Sequence, residues 1–445
     1  MTGTAVRDGS ALADPTYRRF LAARAVVMSG NALTLVALPV LVYRLTGSAA
    51  LTAAVAVVET APYLLVGLPA GALVDRWNRR RVMVTTGVVS GTVMATVPLA
   101  AALDRLGVVQ LLVVAAVVAT SFVFSDAASF GVVPQLVGRH RVASATSTLV
   151  TVGTAIGLVG PLVGGVLVTV LPPALVLGID ALAYLVAAAV LARLRWPGSE
   201  TVPAAAGPRR LRAEVAEGLR YLWTVPVVRW LTVLGVGNSL AGGAVAGLLV
   251  VVGVEQLGLD ADSPALGWLF AAGAAGTFVA GLALPRLQRR VGVGLITTTG
   301  YAVGLGALLG LSSATSLAAA LPLLALLNLA ATSLIVNGIV ARQVVTPDHL
   351  QSRVNTTARL IAWGGSPLGA ALGGLVAGAV GTEWALRVAG LGLAASLVGA
   401  VLAGVPRFPR LADLADLAGL VDLQPAADLT PPSRAASPRD PAGSG

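Results

Sequence analysis

GALVDRWNRRR, residues 71–81, is the stretch whose reading decides the fold. One acid, Asp75, closes a long apolar run, and Arg76, Arg79, Arg80 and Arg81 follow it. A second apolar run opens at Val82. About 18 or more consecutive apolar residues suffice to cross a hydrocarbon core as a helix. Two such runs joined by so short a basic turn form a hairpin in the bilayer. The turn stays where arginine is retained, on the cytoplasmic side.

The same pattern extends in both directions. Of 445 residues, 56% are hydrophobic and 11% charged, against about 25% charged in a soluble domain. Spans are expected near 20–45, 50–74, 82–103, 107–134, 143–171, 174–194, 226–254, 264–284, 293–311, 316–341, 354–380 and 384–405. The expected organisation is a cytoplasmic N-terminal segment (1–19), a six-helix bundle (20–194), a cytoplasmic linker (195–225), a second six-helix bundle (226–406) and a largely disordered cytoplasmic tail (407–445). With the N-terminus inside, Arg139, Arg141, Arg193, Arg286, Arg289, Arg290 and Arg353 all fall on the inner side. Asp104, Glu255, Asp260, Asp262 and Glu383 fall outside. Both termini are therefore expected in the cytoplasm, with the chain multi-pass in the plasma membrane.

The two halves repeat. GALVDRWNRR at 71–80 aligns without a gap on GLALPRLQRR at 281–290, with Gly71 on Gly281, Arg76 on Arg286 and Pro285 in place of the acid. Six spans return the chain to its starting side, so the repeats are parallel. Parallel repeats facing each other suit a transporter with a central site between them. The expected class is an all-α membrane protein of twelve helices in two pseudo-symmetric bundles. In the linker, Leu211, Val215, Leu219 and Leu222 recur at helical spacing, which predicts an amphipathic helix on the inner membrane surface.

Composition excludes several chemistries. The net charge is +10, yet the chain has no lysine, so it lacks a phosphate-loop lysine and any Schiff-base amine. It has no cysteine, and its two histidines, His140 and His349, lie in loops. No metal, no cofactor and no enzymatic activity are expected. The arginines cluster between spans, as topology requires, so no nucleic-acid partner is expected either.

Several stretches resemble the major facilitator superfamily, in its multidrug and macrolide exporter branch, which includes enterobactin exporters. Residues 71–81 resemble that superfamily's loop between spans two and three. YRRFLAARAVVMSGNALTLVALPVLVYRLTGS at 17–48 resembles the branch's first span, and EGLRYLWTVPVVRWL at 217–231 its entry into span seven. Gln343, Pro347, Asp348, Arg353 and Val354 resemble the loop between spans ten and eleven. The resemblance covers about 17–405. It implies a monomeric secondary transporter, exporting a small, partly hydrophobic molecule in exchange for protons. An importer or uniporter of a polar solute is the alternative, and a receptor or scaffold without transport a further one.

The resemblance also implies roles for residues. Gly71, Asp75, Arg76, Arg79 and Arg80 would form a conformational gate. A carboxylate after a helix C-terminus is electrostatically unfavourable. Asp75 would instead lock onto the start of span eleven near Val354, with Arg76 and Arg79 as partners. The plainer reading is a basic loop that only sets topology. Gly157, Gly160, Pro161, Gly164 and Gly165 match the core of an antiporter motif, although Ile156 stands where an upstream glycine is expected. Generic small-residue packing would give the same pattern.

Charges within spans are costly in lipid and mark functional sites. Glu59 lies about 16 residues above Asp75, ~24 Å toward the outer face, and Asp126 about 12 Å from the inner end of span four. Both are candidates to carry substrate or protons, with a paired structural charge as the alternative. Arg24 and Arg359, a few residues inside spans one and eleven, are substrate candidates that could equally snorkel to the inner headgroups. Asn31 stands where relatives often have an acid and could bond substrate; Ser129 occupies a position often held by arginine. Asp180 is read as structural, and Tyr63, Trp268 and Trp363 as interfacial or packing aromatics.

Overall fold

The first helix starts from a capping signal. Asp14, in extended conformation, accepts hydrogen bonds from the backbone N–H groups of Thr16 (2.8 Å) and Tyr17 (3.3 Å), and Pro15 takes the first helical position. This satisfies donors that a helix end leaves free. α1 therefore runs Pro15–Thr46, starting before the hydropathy-based limit at residue 20. Tyr17 and Phe20 are fully buried, and the Tyr17 hydroxyl donates to the Ala145 carbonyl.

The computed structural model describes residues 11–74, 77–138, 141–194, 208–261, 263 and 265–414. Twelve helical spans among them are long and apolar enough to cross a membrane. After α1 come α2 (Ala49–Val74), α3 (Arg79–Ala102), α4 (Val108–Val137), α5 (Val142–Val170) and α6 (Pro173–Arg193). α7 (Pro208–Thr224) precedes α8 (Pro226–Val251), α9 (Ala265–Arg290), α10 (Val293–Ser312) and α11 (Leu317–Val345). α12 (Asp348–Trp363), α13 (Gly365–Val380) and α14 (Thr382–Leu402) complete the set.

Two elements differ from the hydropathy reading. α9 continues past Pro285 to Arg290, because helix hydrogen bonding persists after the apolar run has ended. The eleventh span starts earlier, at Asp348, and is interrupted at one residue only: Gly364, between α12 and α13, keeps right-handed helical angles and its N–H still donates to the Leu360 carbonyl (3.1 Å). Pro367 has no N–H with which to reach the Trp363 carbonyl, and two glycines precede it. α7 is amphipathic and its last turn docks on the protein. Leu222 is fully buried against Val228, Leu350, Val354 and Ala358, and Tyr221 donates to the Val345 carbonyl.

α1 packs on α5 and α6, α3 on α4 and α6, and α2 on α4. In the second half α8 packs on α13 and α14, α9 on α11, and α10 on α11 and α14. Buried Asn337 ties three of these together. It accepts from Gln288 (3.1 Å) and donates to the Val293 carbonyl (3.0 Å) and Thr297 hydroxyl (3.1 Å). The segment after α14 also docks: the Val293 N–H donates to the Pro409 carbonyl (2.9 Å), and Leu414 packs on Leu231 and Ala341. The remainder of the expected tail, 415–445, lies outside the described residues, as do 1–10.

One end of the bundle, here the basic face, carries Arg79, Arg80, Arg81, Arg141, Arg193, Arg289 and Arg290. The other, the acidic face, carries Asp104, Glu255, Asp260 and Glu383. The halves meet through α5 on α9, and through α2 on α8 and α13, the acidic-face part of the eleventh span. Gly165 and Gly267 bring two backbones together there. A Cβ on Gly165 would fall 2.3 Å from the Gly267 Cα. Arg44 donates to the Ala261 carbonyl (3.0 Å), and Tyr43 to Glu255 (3.3 Å), across the same seam.

Candidate functional site

Arg24, Tyr63, Asp126 and Arg359 come from four helices but share one depth. Each lies about nine to eleven residues from the basic-face end of its helix, or roughly 14–16 Å. Arg24 faces the protein interior. It is buried and paired with Asp126 at 3.6 Å.

Asp126 has a second partner. The Tyr63 hydroxyl donates to its other carboxylate oxygen at 2.6 Å. Tyr63 then carries the cluster across to the second half. The Arg359 guanidinium lies 4.7 Å from the Tyr63 ring centroid and 5.2 Å from that of Trp363. The two rings are 6.2 Å apart, and Phe122 is 6.5 Å from Tyr63. The interruption at Gly364 follows directly on this contact.

A second polar group lies behind the first. Tyr184, buried on α6, donates to Asn31 at 2.6 Å. Thr34 donates to Asp180, which is fully buried, and the other Asp180 oxygen has no hydrogen-bond partner among the described residues. Gly30 makes room for that carboxylate: a Cβ there would fall 2.1 Å from its oxygen. Glu59 stands one turn from Tyr63 on α2, partly buried and within electrostatic reach of Tyr184. It has no hydrogen-bond or ion-pair partner among the described residues.

The remaining candidates fall elsewhere. On α5, Gly160 and Gly164 pack against Ala32 and Leu33 of α1, Pro161 is buried between them, and Gly157 has no neighbour within 4 Å. Ser129 bonds only back along its own helix, to the Asp126 carbonyl. Trp268 is largely exposed near the acidic face. Of the expected gate, Gly71 lies in the last turn of α2. Arg80 donates to the Ala192 carbonyl and fastens α3 to α6, and Arg79 opens α3. Asp75 and Arg76 lie outside the described residues. Tyr184 carries no signal in the sequence, because a tyrosine in an apolar span reads as packing. Among the described residues, no His, Cys, Asp and Glu cluster could hold a metal.

The major facilitator family model for transmembrane secretion effectors matches residues 9–422. The multidrug efflux pump Tap of Mycolicibacterium fortuitum is 29% identical over 404 residues, covering 87% of this chain and 94% of that protein. Tap of Mycobacterium tuberculosis is 29% identical over 426 residues, covering 93% and 96%. Among solved structures, a bacterial homologue of the lysosomal transporter Spinster, inward-facing and unoccupied, superposes with a TM-score of 0.66 at 16% identity, over 93% of this chain and 99% of that one. The nucleoside transporter NupG superposes at 0.72 with 9% identity, over 87% and 99%, a likeness of fold.

Proposed function

Since the chain belongs to the transmembrane secretion effectors of the major facilitator superfamily, we propose that it exports small, partly hydrophobic molecules across the plasma membrane by alternating access. It is a multi-pass membrane transporter and not an enzyme. The multidrug pumps it resembles support drugs as the cargo. The observation that carries the reading is the cluster between the halves. Arg24, Asp126 and Tyr63 from one half meet Arg359 and Trp363 from the other, where a shared site must lie if the halves rock about it.

Orientation follows from charge. The basic face is cytoplasmic by the distribution of arginine, and both termini are then cytoplasmic. The described contacts between halves concentrate on the acidic face and stop at this cluster, which fits a state open to the cytoplasm. Proton antiport supplies the drive, with Glu59 and Asp126 as the carboxylates placed to exchange protons. The protein works as a monomer, and Gly71, Asp75, Arg76, Arg79 and Arg80 gate the cytoplasmic side.

The test is expression in bacteria stripped of their main efflux pumps. Accumulation of at least one lipophilic toxic compound should fall several-fold, and a protonophore should restore it. Unchanged accumulation across a broad panel would count against export. A fall that survives the protonophore would remove the proton as the driving ion.

A further inference from the structure

The cage between Tyr63 and Trp363 already holds a cation, and that cation belongs to the protein. A cation within about 6 Å of an aromatic centroid is attracted by the ring's quadrupole, and the Arg359 guanidinium satisfies this for both rings at once. The hydrogen bond from the Tyr63 hydroxyl to Asp126 pushes electron density into the phenol ring, so that its face binds a cation more strongly. Trp363 is 48% exposed, so the cage is not sealed. Glu59, one turn away on the same helix, leaves a carboxylate without a partner among the described residues. Phe122 adds an apolar wall.

We propose that this cage binds a lipophilic organic cation, and that Arg359 is a tethered competitor which fills it when no such cation is present. The proposal deepens the export reading and rests on it for the ligand being cargo. The chemistry favours a weakly hydrated, delocalised charge. The walls of the cage are ring faces and Glu59 adds its charge from a turn away, so a strongly hydrated ammonium would lose more water than it regains. A guanidinium is itself weakly hydrated and stacks on aromatic faces, which is why Arg359 suits the resident role. Tyr63 comes from one half and Arg359 with Trp363 from the other. Arg359 and a bound cation would each bridge the halves through the same rings, and only one can do so at a time.

Equilibrium dialysis of radiolabelled tetraphenylphosphonium against the full chain in lipid nanodiscs tests this. Arg359→Gln should tighten binding, by about threefold to thirtyfold if removal of the competitor releases one cation–π interaction. Trp363→Ala and Tyr63→Ala should weaken it by a similar factor. Binding of the neutral probe N-phenyl-1-naphthylamine should not change in Arg359→Gln. The proposal is overturned if Arg359→Gln binds the phosphonium no tighter than the parent, if the neutral probe gains equally, or if neither protein binds the phosphonium saturably. Should Arg359→Gln not survive purification, Trp363→Phe replaces it, with several-fold weaker phosphonium binding expected and unchanged binding decisive against the cage. Phosphonium binding in this pattern without efflux of any compound in cells would remove export and leave the cage. Efflux without that pattern would do the reverse.

Discussion

Asp126→Ala is expected to abolish transport and to lower stability by about 3–5 kcal/mol, the usual cost of leaving one member of a buried ion pair alone. Arg24 has a side chain only 9% exposed, and Asp126 is its ion-pair partner. Little solvent reaches the pair to replace that partner. The same substitution removes the acceptor for the Tyr63 hydroxyl, loosening the ring that faces Arg359. Thermal unfolding in detergent and uptake into proteoliposomes measure the two losses separately. The double variant Arg24→Gln/Asp126→Asn removes both charges and keeps polar groups of similar shape. It should recover most of the stability but none of the transport, because a neutral pair can neither exchange a proton nor respond to a cation. Transport by the double variant at the parent rate would show that the pair is only structural.

Gly165→Leu should have an effect of similar size by another route. At the Gly165–Gly267 contact both atoms in conflict are backbone, so no side-chain rotation relieves it. Overpacking of this kind costs about 1–3 kcal/mol or more. As a bias on a two-state equilibrium that is roughly 5- to 150-fold, in favour of the state with the acidic face open. The chain has no cysteine, so one thiol can be introduced without background. Ala53, fully buried where α2 meets Gly247 and Gly374, is a suitable place. An impermeant maleimide applied from the acidic side should label Ala53→Cys slowly in the parent and several-fold faster with Gly165→Leu, while transport falls at least tenfold. Equal labelling and undiminished transport would mean that the Gly165–Gly267 contact does not hold the acidic face closed.

The spans were legible in the sequence because lipid demands contiguous apolar residues, and that demand is local. Their limits were less so, since they depend on caps and breaks. Asp14 and Pro15 start α1 early, and the eleventh span begins at Asp348, with one interruption at Gly364 before Pro367. An arginine a few residues inside a span could snorkel to the headgroups; Arg24 is instead buried and meets Asp126. Glu59, Asp126, Arg24 and Arg359 were each visible as charges in apolar runs, but nothing local says which pair. Tyr63 and Trp363 read as packing aromatics for the same reason. Periodicity places them on a helix face, and only the meeting of two halves turns those faces into walls around a guanidinium.

Gly30 and Asp180 lie far apart in the chain and make a single decision. The carboxylate oxygen of one occupies the space that any side chain on the other would need. Among relatives, then, a residue larger than glycine at the first position should go with loss of the acid at the second. The order of change is constrained as well. A lineage that drops the acid first avoids that conflict, whereas one that gains the side chain first meets it. Covariation at these two positions would thus record history as well as proximity, and the direction of that history can be reconstructed from the intermediates that survive.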